Sequence, residues 1–321
     1  MMGHTEFNYS TIENRYSGRI FLIGSGPSLK ETPLELLQDE YTFAANSIPD
    51  IFDKTDWRPS FYACVDDGVD IEYCKEAIDL GIPCFFPEKT SRGEPLVESV
   101  PSRDNILFFE NIDLRDIDEL NISTFHLDFD SINHYKDVWS EDINKFIYGY
   151  NTVMYQMMQI SYYMGFDEIY LVGNDLYNTF DKYLLFSEAS DPAIFQEGCQ
   201  STVQNGIKFL RASDRPIKSF CNAITYKTVK SRMFSEIYSH LSDYTNTLNQ
   251  NNYFSKDYSS NGVTTHEKNQ RHILAHKLAM SVSNELKFDI YNATMGGHLE
   301  VYPRVDLEDI VRSNKNSPHS V

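Results

Sequence analysis

The chain has 321 residues, enough for one large α/β domain or one domain with a sizeable insertion. An apolar fraction of 41% is ordinary for a globular protein, but 14% aromatic residues is high, and 21 Tyr with 21 Phe supply nearly all of it. The net charge of −19 argues against electrostatic binding of nucleic acid, whose phosphate backbone it repels, and against a broad attraction to anionic lipid.

Residues 1–17 are a polar lead without the apolar stretch of a signal peptide. Arg19–Ile23 is a short apolar run with β-branched residues, the pattern of a buried parallel strand. Gly24, Ser25, Gly26 and Pro27 break it, and Ser28 is a candidate N-cap for the next turn. A strand that ends in glycines before a helix start brings backbone N–H groups to a ligand, and these donors favour a phosphate. The turn lacks the third glycine of the dinucleotide fingerprint and the G-K-[ST] of a P-loop, so alone it is a weak signal.

Pro33–Asp39 reads as a short helix, Tyr41–Ala45 as a strand ending at Asn46, and Ser60–Val65 as a strand ending in Asp66-Asp67-Gly68. Ile71–Leu80 has apolar positions at helical spacing, Pro83–Phe86 and Asn105–Phe109 read as strands, and Asp113–Tyr135 is acidic and irregular. Asn151–Met164 is the clearest helix, stopped by Gly165, and it feeds a strand at Glu168–Val172 that ends in Gly173-Asn174-Asp175. Polar residues at the carboxyl ends of two parallel strands are where an open α/β sheet places its ligand.

Between 184 and 265 the pattern weakens. Ser187–Asn205 is polar, Lys227–Leu248 helical and Asn249–Gly262 loop-like. A helix at 267–283 and a strand at 287–291 follow, then the Asn292–Gly297 turn, read as a tight loop at a sheet edge whose glycines permit close approach to a ligand. This alternation predicts a Rossmann-like, doubly wound, mostly parallel α/β sheet.

Cys64, Cys74, Cys84, Cys199 and Cys221 form no C-x-x-C pair and suit reduced, mostly buried thiols in a cytoplasm. No window approaches membrane-spanning length, and the sequons at Asn8, Asn121 and Asn292 mean little in an intracellular chain. His272 and His276 stand four apart without an H-E-x-x-H glutamate, so no metal site is predicted there. The Asp66-Asp67 pair reads as solvated or ribose-binding, with Mg²⁺ binding the other choice.

Four segments, GSGPSLKE, AANSIP with Asn46, EIYLVGNDLYNTFDKY and THEKNQRHILAHKL, resemble in the same order the bacterial CMP-sialic-acid-dependent sialyltransferases of glycosyltransferase family 42. The tail DIYNATMGGHLEVYPRVD is similar instead to the broader DUF115 family, which resembles 6-hydroxymethylpterin diphosphokinase and includes flagellin nonulosonate transferases. The resemblance implies a GT-A-like variant of the sheet in residues 1–183, an inserted, mainly helical lid in 184–265, and a return to the α/β domain in 266–321. It implies His266 as general base, with Tyr177 and Tyr183 donating to the leaving phosphate. Two hydroxyls can stabilise that charge without a metal, and a histidine near neutrality can take the acceptor's proton. Nucleotide contacts are implied at Gly24, Ser25, Gly26, Pro27, Ser28, Asn46, Asp66, Thr152, Gly173, Asn174 and Asp175. Asn46 and Asp175 fall where base and ribose contacts are expected. Ser25 replaces the family's asparagine, Asp66 or Asp67 stands near another, and the stretch before His266 is longer than the family's lid.

The implied function is inverting, metal-independent transfer of a nonulosonic acid, sialic-acid-like or Kdo, from a CMP-sugar to a surface-glycan, glycolipid or protein acceptor. The CMP-sugar is then a substrate, and no cofactor or metal is expected. Expected partners are the donor and acceptor, with no nucleic acid and no integral membrane segment. A cytoplasmic location is expected, compatible with a peripheral place at the inner membrane and with a homo-oligomer. The alternatives are an ATP- and Mg²⁺-dependent pterin-type pyrophosphokinase using Asp66 and Asp67, or a non-catalytic glycan-assembly module.

Overall fold

The computed structural model describes residues 7–65, 71–89, 93, 95–96, 98, 100, 103–123, 126–176 and 266–315. In chain order the helices and strands are α1 (Tyr9–Ile12), β1 (Arg19–Ile23), β2 (Thr42–Ala45), β3 (Phe61–Ala63), α2 (Ile71–Asp79), β4 (Cys84–Pro87), β5 (Ile106–Phe109) and β6 (Asn111–Asp113). They continue as β7 (Ile147–Gly149), α3 (Val153–Met164), β8 (Glu168–Val172), α4 (His266–Leu286), β9 (Asp289–Asn292) and α5 (Leu307–Lys315).

Seven strands form one sheet in the order β5-β4-β3-β2-β1-β8-β9, and every pairing in it is parallel. This is the Rossmann-like α/β class that the strand–helix alternation predicts. The chain lays β1 to β5 outward in one direction, then returns to place β8 and β9 on the other side of β1. The order therefore reverses between β1 and β8, which are in register from Arg19 with Glu168 to Ile23 with Val172. In open α/β sheets ligands bind outside the carboxyl ends of the strands at such a reversal.

Both faces of β1 are buried, which explains its unbroken apolar run. Ile20 and Leu22, with Ile169, Leu171 and Ile290, join one core with Met157, Met158, Leu278 and Ala279 of α3 and α4. Phe21 points to the opposite face. There it stacks on Tyr170 at 5.1 Å, and Tyr170 stacks on Tyr291 at 5.0 Å. Each fully buried Ile, Leu or Phe contributes about 1.5–3 kcal/mol relative to exposure.

Thr152 caps α3 through its hydroxyl, which accepts from the Met154 N–H at 3.4 Å. Gly165 ends that helix with φ +102, and a Cβ there would lie 2.5 Å from the Tyr16 carbonyl oxygen. Buried Gln159 then ties the neighbouring arm to α3. Its Oε1 accepts from Ser140 and Tyr148 N–H, each at 3.1 Å, and its Nε2 donates to the Tyr148 carbonyl at 2.8 Å. The arm includes a separate two-stranded parallel sheet of β6 and β7.

Several local expectations change. Pro33–Asp39 holds a 3-10 turn at Leu34–Leu37 rather than an α-helix. Ser28 is not an N-cap; it lies inside a 3-10 turn, Pro27–Lys30, whose cap position is Gly26. The polar lead contains α1, capped by Asn8. The irregular 113–135 stretch contains 3-10 turns at Leu114–Asp116 and Phe129–Ser131. Helix α5 had no predicted counterpart, and the last predicted strand shifts to Asp289–Asn292.

The chain divides into two units, Met1–Leu176 with Gln270–Val321, and Tyr177–Asn269; the seven-stranded sheet belongs to the first. The helix expected at 227–248 and the lid at 184–265 lie outside the described residues. Cys64, Cys74 and Cys84 are buried and in no disulfide, whereas Cys199 and Cys221 lie outside the described residues. Among the described residues, no helix is long and apolar enough to cross a membrane.

Candidate functional site

The ends of β1 and β8 close directly on one another. The Gly24 N–H donates to the Val172 carbonyl at 2.8 Å, and the Gly26 N–H donates to the Gly173 carbonyl at 2.9 Å. A Cβ on Gly24 would meet Gly173 O at 2.6 Å, and one on Gly173 would meet Gly24 O at 2.5 Å. These glycines allow the two turns to touch. The Gly24 and Gly26 amides, expected from sequence to face a phosphate, bind the protein's own carbonyls instead.

Asp175 completes the junction. Its Oδ1 and Oδ2 lie 3.2 and 3.4 Å from the Ser28 N–H, and Oδ2 accepts from the Ser28 hydroxyl at 2.8 Å. A Cβ on Gly26 would fall 1.9 Å from Oδ2, so the carboxylate occupies the space that glycine leaves. Asp175 is only 6% exposed. Burial pushes its carboxyl above the usual Asp value, opposed by the Ser28 hydrogen bonds and the Arg304 charge.

The turn after β9 joins from the other side. The His298 N–H donates to the Asp175 carbonyl at 2.6 Å, and the Asn174 N–H donates to the Thr294 hydroxyl at 3.1 Å. A Cβ on Gly297 would lie 2.6 Å from Asp175 O, so this glycine meets the β8 turn rather than a ligand. Arg304 holds the turn by donating to the carbonyls of Thr294, Gly296 and Gly297 at 3.2, 2.6 and 3.0 Å. Asn292, a predicted sequon, is 1% exposed and donates to the Leu299 carbonyl, so the folded chain hides that acceptor.

On the other flank, the register of β1 with β2 pairs Ile23 with Ala44, and Asn46 follows the end of β2. Asn46 has φ +50, a left-handed conformation that non-glycine residues seldom adopt. Its Oδ1 and the Oγ of fully buried Ser47 have no hydrogen-bond partner among the described residues. Unpaired buried polar atoms are costly.

The structure thus brings together Gly24, Gly26, Pro27, Ser28, Gly173, Asn174 and Asp175, with Ser25 and Asn46 on the adjoining strand ends. Thr152 is the α3 cap described above, and neighbouring Asn151 donates to the Arg271 carbonyl at 3.1 Å. Asp66, Tyr177 and Tyr183 lie outside the described residues. His266 is the first residue of α4 rather than a loop residue, and its side chain also lies outside. Sequence reasoning missed Ser47, Thr294 and Arg304 as parts of this edge. The glycine-rich turn between Thr294 and Arg304 was the available signal.

His276 is buried, with Nδ1 3.1 Å from the Tyr302 hydroxyl, and burial lowers its pKa to about 3. It is a neutral core histidine. Among the described residues, no group of three or more His, Cys, Asp or Glu is placed to hold a metal. A cavity of about 150 Å³ lies elsewhere, between Phe129, Ile132 and Tyr135 of the arm and Leu278 and Val282 of α4; no strand-end residue lines it. No protein-family model matches the chain, and no curated protein matches it.

Proposed function

We propose that the chain is an inverting, metal-independent glycosyltransferase that moves a nonulosonic acid from a CMP-sugar to a glycan, glycolipid or protein acceptor. The observation that carries this function is the strand-order reversal between β1 and β8. The segments GSGPSLKE and GND, which belong to the stretches that carry the resemblance to family 42 sialyltransferases, meet at that reversal. Open α/β sheets bind nucleotides at such a point. Asn46, half-buried at the next strand end, is the candidate contact for a base or ribose.

In this mechanism the glycosidic bond breaks toward the CMP phosphate as the acceptor oxygen attacks. Tyr177 and Tyr183 donate hydrogen bonds to the phosphate as its charge builds. His266 accepts the proton of the acceptor hydroxyl.

The test is thermal unfolding with CMP, CTP, ATP and UDP, each with and without Mg²⁺. A ligand at 100 times its Kd stabilises the native state by about 2.7 kcal/mol. CMP should therefore raise the Tm by several degrees without metal. Stabilisation by ATP alone, and only with Mg²⁺, refutes the transferase and favours a pyrophosphokinase.

A further inference from the structure

We propose that Asp175 is an internal anion: its carboxylate fills the anion position of the Gly24–Ser28 turn, excludes a ligand's phosphate from it, and leaves the turn to the uncharged nucleoside. The last clause rests on the nucleotide function proposed above; the first does not.

A turn between a strand and a helix start binds phosphate through free backbone N–H groups. Here the amides of Gly24, Gly26, Ser28 and Leu29 already have partners, and the Ser25 amide is left over. The Gly24 and Gly26 amides bind the Val172 and Gly173 carbonyls, and the Leu29 amide binds the Gly26 carbonyl at 3.1 Å. The Ser28 amide and hydroxyl converge on one carboxylate. Gly26 shows that this carboxylate is the intended occupant: any Cβ there would overlap Oδ2 at 1.9 Å. The carboxylate is also held from behind, because the Asp175 carbonyl accepts from the His298 N–H. The nearby cation, Arg304, is bonded to Glu300 and to the carbonyls of its own turn.

A phosphate at this turn would face a buried carboxylate across a few ångströms of low-dielectric protein, where like charges repel strongly. A ribose hydroxyl or a base edge meets no such barrier and can donate to the carboxylate. The geometry therefore selects how a nucleotide lies: nucleoside toward β1, phosphate away from it.

The experiment follows the Gly26 and Ser28 amide resonances in isotope-labelled wild type, Asp175→Ala and Asp175→Asn. Formate, inorganic pyrophosphate and chloride are titrated into each. In wild type, pyrophosphate should leave the Ser28 amide unmoved. Asp175→Ala vacates the position, so formate and pyrophosphate should bind saturably there, move the Ser28 resonance and raise the Tm, while chloride does not. If Asp175→Ala folds only when formate is present, that is the same rescue. Asp175→Asn removes the charge but still fills the position, so pyrophosphate should leave its Ser28 amide unmoved as in wild type. Saturable pyrophosphate binding at Ser28 in wild type overturns the proposal, as does indifference of Asp175→Ala to all the anions. Cytidine, CMP and CTP form a separate arm. In wild type, cytidine should move the same amides as CMP, and CTP should bind no better than CMP. Phosphate-dependent shifts at Ser28 overturn the orientation. Anion rescue in Asp175→Ala without any cytidine nucleotide binding retains the internal anion and refutes the nucleotide function.

Discussion

Gly26→Ala is the sharpest test of how the strand ends close. Gly26 has φ −66 and ψ 158, a conformation open to any L-residue, so the substitution costs little in backbone strain. Its effect comes from contact. The new methyl would lie 1.9 Å from Asp175 Oδ2 and 2.6 Å from the Gly173 carbonyl oxygen. The carboxylate must leave, and with it both bonds from Ser28. The Gly173 oxygen belongs to the backbone and accepts from Gly26 itself, so the two turns must also part. Overpacking costs about 1–3 kcal/mol, and hydrogen bonds to a buried charge are worth about 1.5–3 kcal/mol. Together these predict a loss of roughly 3–5 kcal/mol, a fall in Tm on the order of 10 °C. Gly81→Ala is the control: φ is +73 and nothing lies within 4 Å of the added methyl, so only the left-handed backbone penalises it, by about 1–2 kcal/mol. Urea and thermal unfolding of both variants give the comparison. A Gly26→Ala protein no less stable than Gly81→Ala refutes the close packing of the two turns.

The buried Asp175 carboxyl titrates above its ordinary value, so the folded state binds that proton more tightly than the unfolded chain. This contribution to stability is complete below the unfolded value of about 3.9 and is lost as pH rises through the folded value. Asp175→Asn should lose less stability than wild type over that rise, and equal slopes in denaturant titrations would count against a buried ionised carboxylate. His276 has the opposite sign: its folded pKa of about 3 lies below the unfolded value, so stability is lost as pH falls from about 6.5 toward 3. His276→Gln should flatten that acid limb in urea midpoints, and an unchanged limb would assign it to other groups. Tyr177→Phe and Tyr183→Phe should each slow transfer by about 10²–10³-fold, and His266→Ala by about 10²–10⁴-fold. CMP affinity should change less, and wild-type turnover in all three removes them from the chemistry.

The sheet was legible because its strands are buried on both faces. RIFLI and EIYLV carry uninterrupted apolar residues, and their predicted limits coincide with those observed. Short elements bonded to the core by few side chains carried no such signal. Helix α1 is one turn held by an Asn8 cap and by tertiary bonds, with the Tyr163 hydroxyl donating to the Tyr9 carbonyl. The β6–β7 pair depends on Gln156, whose Nε2 donates to Asn111 Oδ1 at 2.8 Å, a contact between residues 45 apart in the chain. Helix α5 is amphipathic over only nine residues and docks where Arg19 donates to the Ile310 carbonyl, 291 residues away. Neither local propensity nor periodicity encodes such pairings.

At the strand ends the sequence announced close approach without saying what approaches. Glycine marks a point where a Cβ does not fit, and a phosphate, a carbonyl or a carboxylate can each be the reason. For Gly24 and Gly173 the reason is the opposite strand's carbonyl, and for Gly26 it is Asp175. Asp175 itself was legible as a polar residue at a strand end, but not its direction, which turns it inward to Ser28. Burying a carboxylate costs stability unless it is well paired, and an asparagine of nearly the same shape would avoid that cost. A charge kept at such a place implies work that stability alone does not explain, and these particular neighbours define it. The carboxylate binds the Ser28 amide and hydroxyl where, among the described strands, the order reverses. Under the proposal above, that charge sets which end of a nucleotide can lie against the turn.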